Sequence, residues 1–437
     1  MSGKVGDNVF RASGVVAAAA AGRTGTVDWV TTPKVTGDSP ITAVTGEGYF
    51  LNTTAGQITI NLPAGAAGSI VSVADYAGTW QTNMVTVAAN GTEKIGGVDG
   101  DVFLTTEGQS VTFIYVDSTQ GWLNTMDSTS NVRASEFIVA SVSGCCNTLA
   151  TAPCCADTKI ATFTGPGTFC VSSAGATAAK NVVSYMLVAG GGGNHPPSNP
   201  LGGGGGGGFR EYESPSTPYT SSPLDGGPTG AGSGTAVILT ASPYAITVGG
   251  GGTPSPTAPG SRGNDSVFST ITSTGGGGGG GGSNSSGNPG GPGGSGGGGG
   301  GAAAPNPGGT GNTPSVTPAQ GKDGGANHAP DPSNTRGGGG GGATVAGASG
   351  SASGNGGAGA TTSISATPTV YAGGGGSGSE NFGAGAGGPG GGGAGARYPC
   401  SPAATPGTVN TGGGAGNGNG QVKNGGSGIV ILRYQFQ

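Results

Sequence analysis

Residues Gly275–Gly282 are eight consecutive glycines, and a stretch without side chains has nothing to pack into a core. Similar runs stand at Gly190–Gly193, Gly202–Gly208, Gly249–Gly252, Gly296–Gly301, Gly337–Gly342 and Gly373–Gly376, with looser ones around Gly385–Gly395 and Gly412–Gly420. Two physical states are open to them. Glycine has high backbone entropy, so an unsupported run stays a flexible linker. Alternatively the runs are extended three-fold helices of the polyproline II shape, which make no internal hydrogen bonds and turn their N–H and C=O groups outward. Packed side by side, such helices bond to one another only where no Cβ intervenes. Unbroken glycine excludes collagen, whose repeat places two other residues between glycines.

Short apolar segments between the runs favour the ordered state. Tyr244–Val248, Ser266–Thr272 and Thr367–Tyr371 each precede a run, and Gly428–Tyr434 lies near the C-terminus. They read as strands that anchor one end of a bundle, and so long a structureless stretch inside a domain would be unusual. The glycine is also partitioned, with 19 of the 105 before residue 159 and the other 86 after it. The expected organisation is an N-terminal attachment arm over 1–40, a small β module over 41–127, a cysteine-containing connector over 128–158, and a glycine-rich domain over 159–437. The expected fold class is all-β, a small sandwich or barrel followed by short strands and packed polyglycine II helices.

The front module shows period-two alternation. Ile58, Ile60 and Leu62 alternate with Thr59 and Asn61, and Val111, Phe113 and Tyr115 with Thr112 and Ile114. That is the mark of half-buried strands. Turn residues at 52–56, 63–68, 90–91, 96–101 and 118–121 separate them. The expected core is Phe50, Leu51, Ile58, Ile60, Ile70, Val73, Val85, Val87, Phe103, Phe113, Tyr115 and Trp122. Residues 1–40 show no core-forming period and read as an arm ordered by lying on something else, with Asp28 and Trp29 as a docking contact.

Charged residues make up 8% of the chain, with 15 Lys+Arg against 20 Asp+Glu, which excludes a basic nucleic-acid surface. No segment approaches the length of about 18–20 apolar residues that a membrane span needs, and Val15–Ala21 is too weakly apolar to read as a signal peptide. Matches to the dinucleotide-binding glycine motif are meaningless inside polyglycine, because no helical period follows them. The two histidines, His195 and His328, sit in Pro/Asn/Gly-rich loops with no packed surroundings to tune a catalyst. Glu47, Asp75, Glu93 and Asp101 lie in turns of the small module, where a structural role outweighs that of a glycosidase pair. The reading is non-enzymatic, without cofactor or metal.

Cys145, Cys146, Cys154, Cys155, Cys170 and Cys400 all fall at or after residue 145. Adjacent pairs do not match zinc spacing. They leave open disulfides, including one inter-chain bridge of a vicinal pair, or buried thiols.

The series Thr162–Phe169, Val182–Gly193, Phe209-Arg-Glu, Tyr244–Gly249, Ser266–Thr272 and Gly428–Tyr434 resembles the glycine-rich domain of tail fibre and receptor-binding proteins of bacteriophages, especially marine and cyanobacterial phages. The front segments Gly46–Phe50, Ile58–Pro63, Ile70–Tyr76 and Tyr115–Trp122 are similar to a β module of such fibres. The resemblance implies a structural virion protein, extracellular on the particle, forming a homo-oligomer that we expect to be a trimer. Its arm would attach to a phage tail protein, and its glycine-rich domain would contact a host glycan or outer-membrane protein. Loops between the runs supply the candidate contacts, Phe209, Tyr212, Tyr219, Asn284, His328, Phe382 and Tyr398, because aromatic faces and amides suit sugar or protein recognition.

Overall fold

The computed structural model describes residues 27–127, 132–133, 137–153, 155–195, 202–228, 230, 234–255, 259–283, 286–301, 305–331, 334–398, 402–418, 421 and 423–437. Among them helix is confined to two 3-10 turns, Thr36–Asp38 and Ala178–Asn181. The chain forms two compact units: the described residues up to Phe137 with Ser173–Thr177, and Ile138–Ser172 with Ala178–Gln437.

The first unit is a sandwich of two five-stranded sheets. Its strands are β1 (Asp28–Val35), β2 (Ile41–Thr42), β3 (Glu47–Asn52), β4 (Ile58–Asn61), β5 (Ile70–Asp75), β6 (Val85–Ala88), β7 (Val102–Leu104), β8 (Ser110–Asp117), β9 (Gly121–Asp127) and β10 (Val132–Arg133). The first six strands go to alternate sheets. Thus β1, β3 and β5 pair in parallel in one sheet, and β2, β4 and β6 in the other. The antiparallel pairs β6–β7 and β8–β9 then close the winding. Leu51, Ile58, Ile60, Ile70, Val73, Val85, Val87, Phe113 and Trp122 are buried as expected, joined by Trp80, Val71, Val111 and Leu104. Each such aliphatic or phenyl side chain contributes about 1.5–3 kcal/mol.

Two boundaries differ from the sequence reading. The module starts at Asp28, not residue 41, because β1 adds to the sheet edge beside β3 and Trp29 stacks on Phe50 at 4.7 Å. Trp29 lies opposite Gly48, so its ring covers the space a side chain there would fill. Residues 1–26 of the expected arm lie outside the described residues. The expected connector is itself sheet: β11 (Val139–Ser143), β12 (Thr148–Ala152) and β13 (Cys155–Phe163) belong to the second unit.

In that unit follow β14 (Gly167–Ser173), β15 (Val182–Val188), β16 (Phe209–Tyr212), β17 (Val237–Ile238), β18 (Pro243–Thr247), β19 (Ser266–Phe268), β20 (Ile271–Ser273), β21 (Gly282–Ser283), β22 (Ser286–Gly287), β23 (His328–Asp331), β24 (Asn334–Arg336), β25 (Ala360–Thr362), β26 (Thr369–Tyr371) and β27 (Ile429–Gln435). One sheet runs β11-β14-β18-β19-β20 and another β12-β13-β27-β15-β16. The second sheet is covered on both faces. Tyr185, Leu187, Val430 and Leu432 meet the first sheet's core, while Met186, Val188, Ile429 and Ile431 pack with Phe209, Ala343, Ile364 and Tyr371. Double burial is why β15 and β27 read as continuous apolar segments instead of alternating ones.

From these strands the glycine runs extend as a lattice. The run 202–208 shows its rule. N–H groups of Gly202, Gly205 and Gly208 donate to the carbonyls of Gly280, Gly277 and Thr274; those of Gly203 and Gly206 to Gly338 and Gly341; those of Gly204 and Gly207 to Ala415 and Gly412. Every third residue therefore faces the same neighbour, as a three-fold helix requires. The carbonyls of Gly203 and Gly206 accept from Gly298 and Ser295, that of Gly204 from Gly375, and those of Gly205 and Gly208 from Gly192 and Ala189, at 2.8–3.2 Å. Three neighbours receive bonds and three others supply them, so this run sits at the centre of a hexagon. Gly202–Gly208 stay out of the positive-φ region. Registers rise together along some pairs (203→338, 206→341) and oppose along others (202→280, 205→277), so some runs travel toward the strands and others away from them.

Along the run 202–207 the lattice leaves no room for a Cβ. One built on Gly202 or Gly205 would overlap the carbonyl oxygen of Gly298 or Ser295, on Gly203 or Gly206 that of Gly375 or Ala372, and on Gly204 or Gly207 that of Gly192 or Ala189. At Gly278 it would overlap the Gly260 carbonyl, whereas at Gly250 the nearest atom is Asn264 Nδ2 at 3.7 Å. Gly278→Val should therefore destabilise the unit by at least about 2 kcal/mol and speed its proteolysis, while Gly250→Ala leaves both unchanged. Thermal melts with limited trypsin digestion check this, and a parent-like Gly278→Val would sink the lattice.

Candidate functional site

The strands close one end of the glycine bundle, and at the other end the runs turn back. There the lattice stops on buried amides. Asn417 Nδ2 donates to the Gly202 carbonyl at 2.8 Å, Asn306 Nδ2 to that of Gly300 at 3.1 Å, and Asn194 Nδ2 to that of Gln421 at 2.8 Å. Asn194, Asn306, Asn327 and Asn417 are all buried. A side-chain amide repeats the donor and acceptor of a peptide group, so it satisfies run ends that the next helix turn no longer reaches.

Over this end lies a cluster of aromatic and charged side chains. His328 opens β23 and Arg336 ends β24, next to the run 337–342. Ser379, Glu380 and Phe382 follow the run 373–376, and Arg397 and Tyr398 follow the looser run before them. Backbone bonds hold these pieces together: Gly337 N–H to Gly378 O at 3.1 Å, Glu380 N–H to Thr335 O at 3.2 Å, and Tyr398 N–H to Ser379 O at 2.9 Å. Thr335 Oγ1 donates to Glu380 Oε2 at 3.0 Å. The Phe382 ring has the Arg336 guanidinium 4.8 Å from its centroid and the His328 ring edge-on at 5.8 Å. Desolvation lowers the Arg336 pKa from its ordinary value. Phe382 is half-buried, and Tyr398 is 53% exposed. A ring pinned between a cation and an imidazole, beside an open tyrosine, offers rigid contact area at low entropic cost.

Of the residues expected to make contacts, the structure brings His328, Phe382 and Tyr398 to one end. Asn284 lies outside the described residues. Phe209, Tyr212 and Tyr219 need correction. Phe209 is 1% exposed in the core beneath β15 and β27, because β16 pairs with β15 and carries it inward. Tyr212 is buried and stacks on Tyr185 at 5.8 Å. The Tyr219 ring lies under the buried Arg433 guanidinium at 5.4 Å. All three belong to the strand end. Arg336 escaped sequence reading, although its signal was an arginine directly before six glycines. The described cysteines are not joined to one another: Cys145, Cys146 and Cys170 are exposed thiols, and Cys155 Sγ accepts Arg433 Nη2 at 3.4 Å. Cys154 and Cys400 lie outside the described residues. In the small module Asp75 accepts the N–H groups of Gly78 and Gly108 at 3.0 Å, and Glu93 accepts that of Gly65 and the Trp122 indole at 2.8 and 3.1 Å. Their carboxylates staple turns.

Comparison with known families fits this architecture. Residues 164–435 match the model of a glycine-rich domain, which spans the strands and the lattice together. No curated protein matches the chain.

At the strand end three carboxylates, Glu211, Glu213 and Asp225, are buried together. Glu211 accepts from Ser222 N–H at 2.9 Å and from the Thr362 hydroxyl; Glu213 accepts from Tyr219 N–H and Ser221 Oγ, both at 2.9 Å; Asp225 Oδ1 accepts the N–H groups of Glu213 and Gly227 at 2.8 Å. Burial raises the Glu211 pKa above its ordinary 4.5, hydrogen bonds from Ser222 and Thr362 oppose the shift, and Asp225 adds to it. The folded chain thus holds this proton more tightly than the unfolded chain. Stability from Glu211 is present below pH 4.5 and lost as pH rises through the raised value. Relative to the parent, Glu211→Gln should gain stability as pH increases from 4.5 toward neutrality, which melting curves over that range measure.

Proposed function

The chain belongs to the glycine-rich domain family, and on that premise we propose that it is a non-catalytic adhesin, the structural protein of a phage tail fibre that attaches to the host cell surface. The observation that carries the reading is the division between the two ends of the bundle. Strands and cores occupy one end, while His328, Arg336, Phe382 and Tyr398 gather at the other over a scaffold made of backbone. Loops on such a scaffold vary without refolding it, which suits a surface that must follow a changing receptor. The motif series quoted above supports the phage part of the reading. Residues 1–40 would take part in joining the tail, and homo-oligomeric copies would sum weak contacts by avidity.

Purified protein should bind susceptible cells and compete with infection. Phe382→Ala and Tyr398→Ala should each weaken cell binding by about tenfold, as anchor residues do, with melting temperatures unchanged. Filament assembly without cell binding would favour a wall or matrix protein. Release of reducing sugar from host polysaccharide would favour a depolymerase tailspike.

A further inference from the structure

Arg210 has no hydrogen-bond or ion-pair partner among the described residues, although it is half-buried on β16 and held beside Tyr185. It lines a cleft of about 440 Å3 on the strand end of the second unit, a volume within the range of about 300–1,000 Å3 seen for small-molecule sites. The cleft is formed by β16, the segment at Thr235, the β19–β20 hairpin with its flanks, and the loop 314–317. The other cation in its wall, Arg262, is matched by Asp265 at 2.9 Å, so the guanidinium of Arg210 is the uncompensated charge. Around it stand the exposed side chains of Thr235, Thr270, Thr272 and Thr317, whose hydroxyls make no hydrogen bond to other described residues. Ile271, Pro314 and Val316 supply an apolar wall. The loop is pre-set: Asn312 Oδ1 accepts Val316 N–H at 3.1 Å and Gln320 N–H at 3.2 Å, and Gln320 Nε2 donates to Pro314 O at 3.0 Å.

Each part has a chemical counterpart. A free guanidinium fork takes a carboxylate or phosphate through two parallel hydrogen bonds. Hydroxyls that donate and accept match the hydroxyls of a sugar ring. The apolar wall receives the ring's C–H face. We propose that this cleft is a second binding site for an acidic saccharide unit, a sugar ring bearing a carboxylate or phosphate that docks on Arg210. The site is separate from the Phe382 cluster, and it does not depend on the adhesin reading.

Calorimetric titration of the full chain with a galacturonic acid trimer, its methyl ester and galactose 6-phosphate tests the proposal. At least one anionic probe should bind, identifying the anion, and the uncharged ester should bind at least about tenfold more weakly, the worth of one charge-assisted contact. Arg210→Ala should lose a similar factor and Thr317→Val, on the exposed rim, about threefold, while Phe382→Ala binds as the parent does. Equal binding of the ester, no binding of either anion at millimolar concentration, or full affinity in a folded Arg210→Ala protein would overturn the site. Should Arg210→Ala fail to fold, unchanged affinity in Thr317→Val would overturn it instead. Loss of cell binding in Phe382→Ala with intact saccharide binding separates the two surfaces.

Discussion

Where a side chain would begin in most proteins, a neighbouring carbonyl oxygen sits in this one. Around the run 202–208 the displaced Cβ positions are taken in rotation by carbonyls from three adjacent runs, and everything else in the second unit follows from that exchange. The backbone groups of a buried segment must find partners, and here they find them in six directions rather than along one strand pair. A net gain of about 0.5–1.5 kcal/mol for each such bond must offset the large conformational entropy of glycine. Cohesion in the bundle is therefore polar and directional, which makes it intolerant of even a methyl group at its centre.

A lattice of that kind cannot start itself, since isolated runs have no internal bonds. The sheets solve this. β15 and β16 lead directly into and out of the first two runs, β18 and β20 lead into the next, and β27 receives the last. Apolar burial on both faces of the β13–β27–β15 sheet fixes the starting points, and the lattice needs only to continue from them. At the opposite end buried asparagines take over from absent neighbours, and the aromatic and charged groups gather around them.

The glycine runs, the three-fold helix and the strands before the runs were legible because each rests on local chemistry. The parallel winding of the small module was not, because the same alternation of Ile58 and Ile60 suits a parallel or an antiparallel neighbour. Phe209 and Tyr212 were misplaced for a related reason. A short segment after seven glycines looks like a loop until β15 is known to lie beside it and cover it. His328 and Phe382 were visible as isolated aromatic residues, yet their meeting depends on how runs far apart in sequence are stacked. Arg210 stood in plain view within Phe209-Arg-Glu, and only the surrounding cleft shows that its charge is unmatched.

The three-residue period also sets a unit of length. Adding one residue inside a run turns every later N–H by a third of a revolution and aims it at the wrong neighbour. Adding three residues restores the aim and lengthens the run by one turn, roughly 9 Å. The runs can thus change only in triplets, whereas the turns between them are free to change by any number. Such a chain grows by discrete steps along the bundle axis and varies continuously at its end, so the scaffold's length and its contact surface evolve on separate scales.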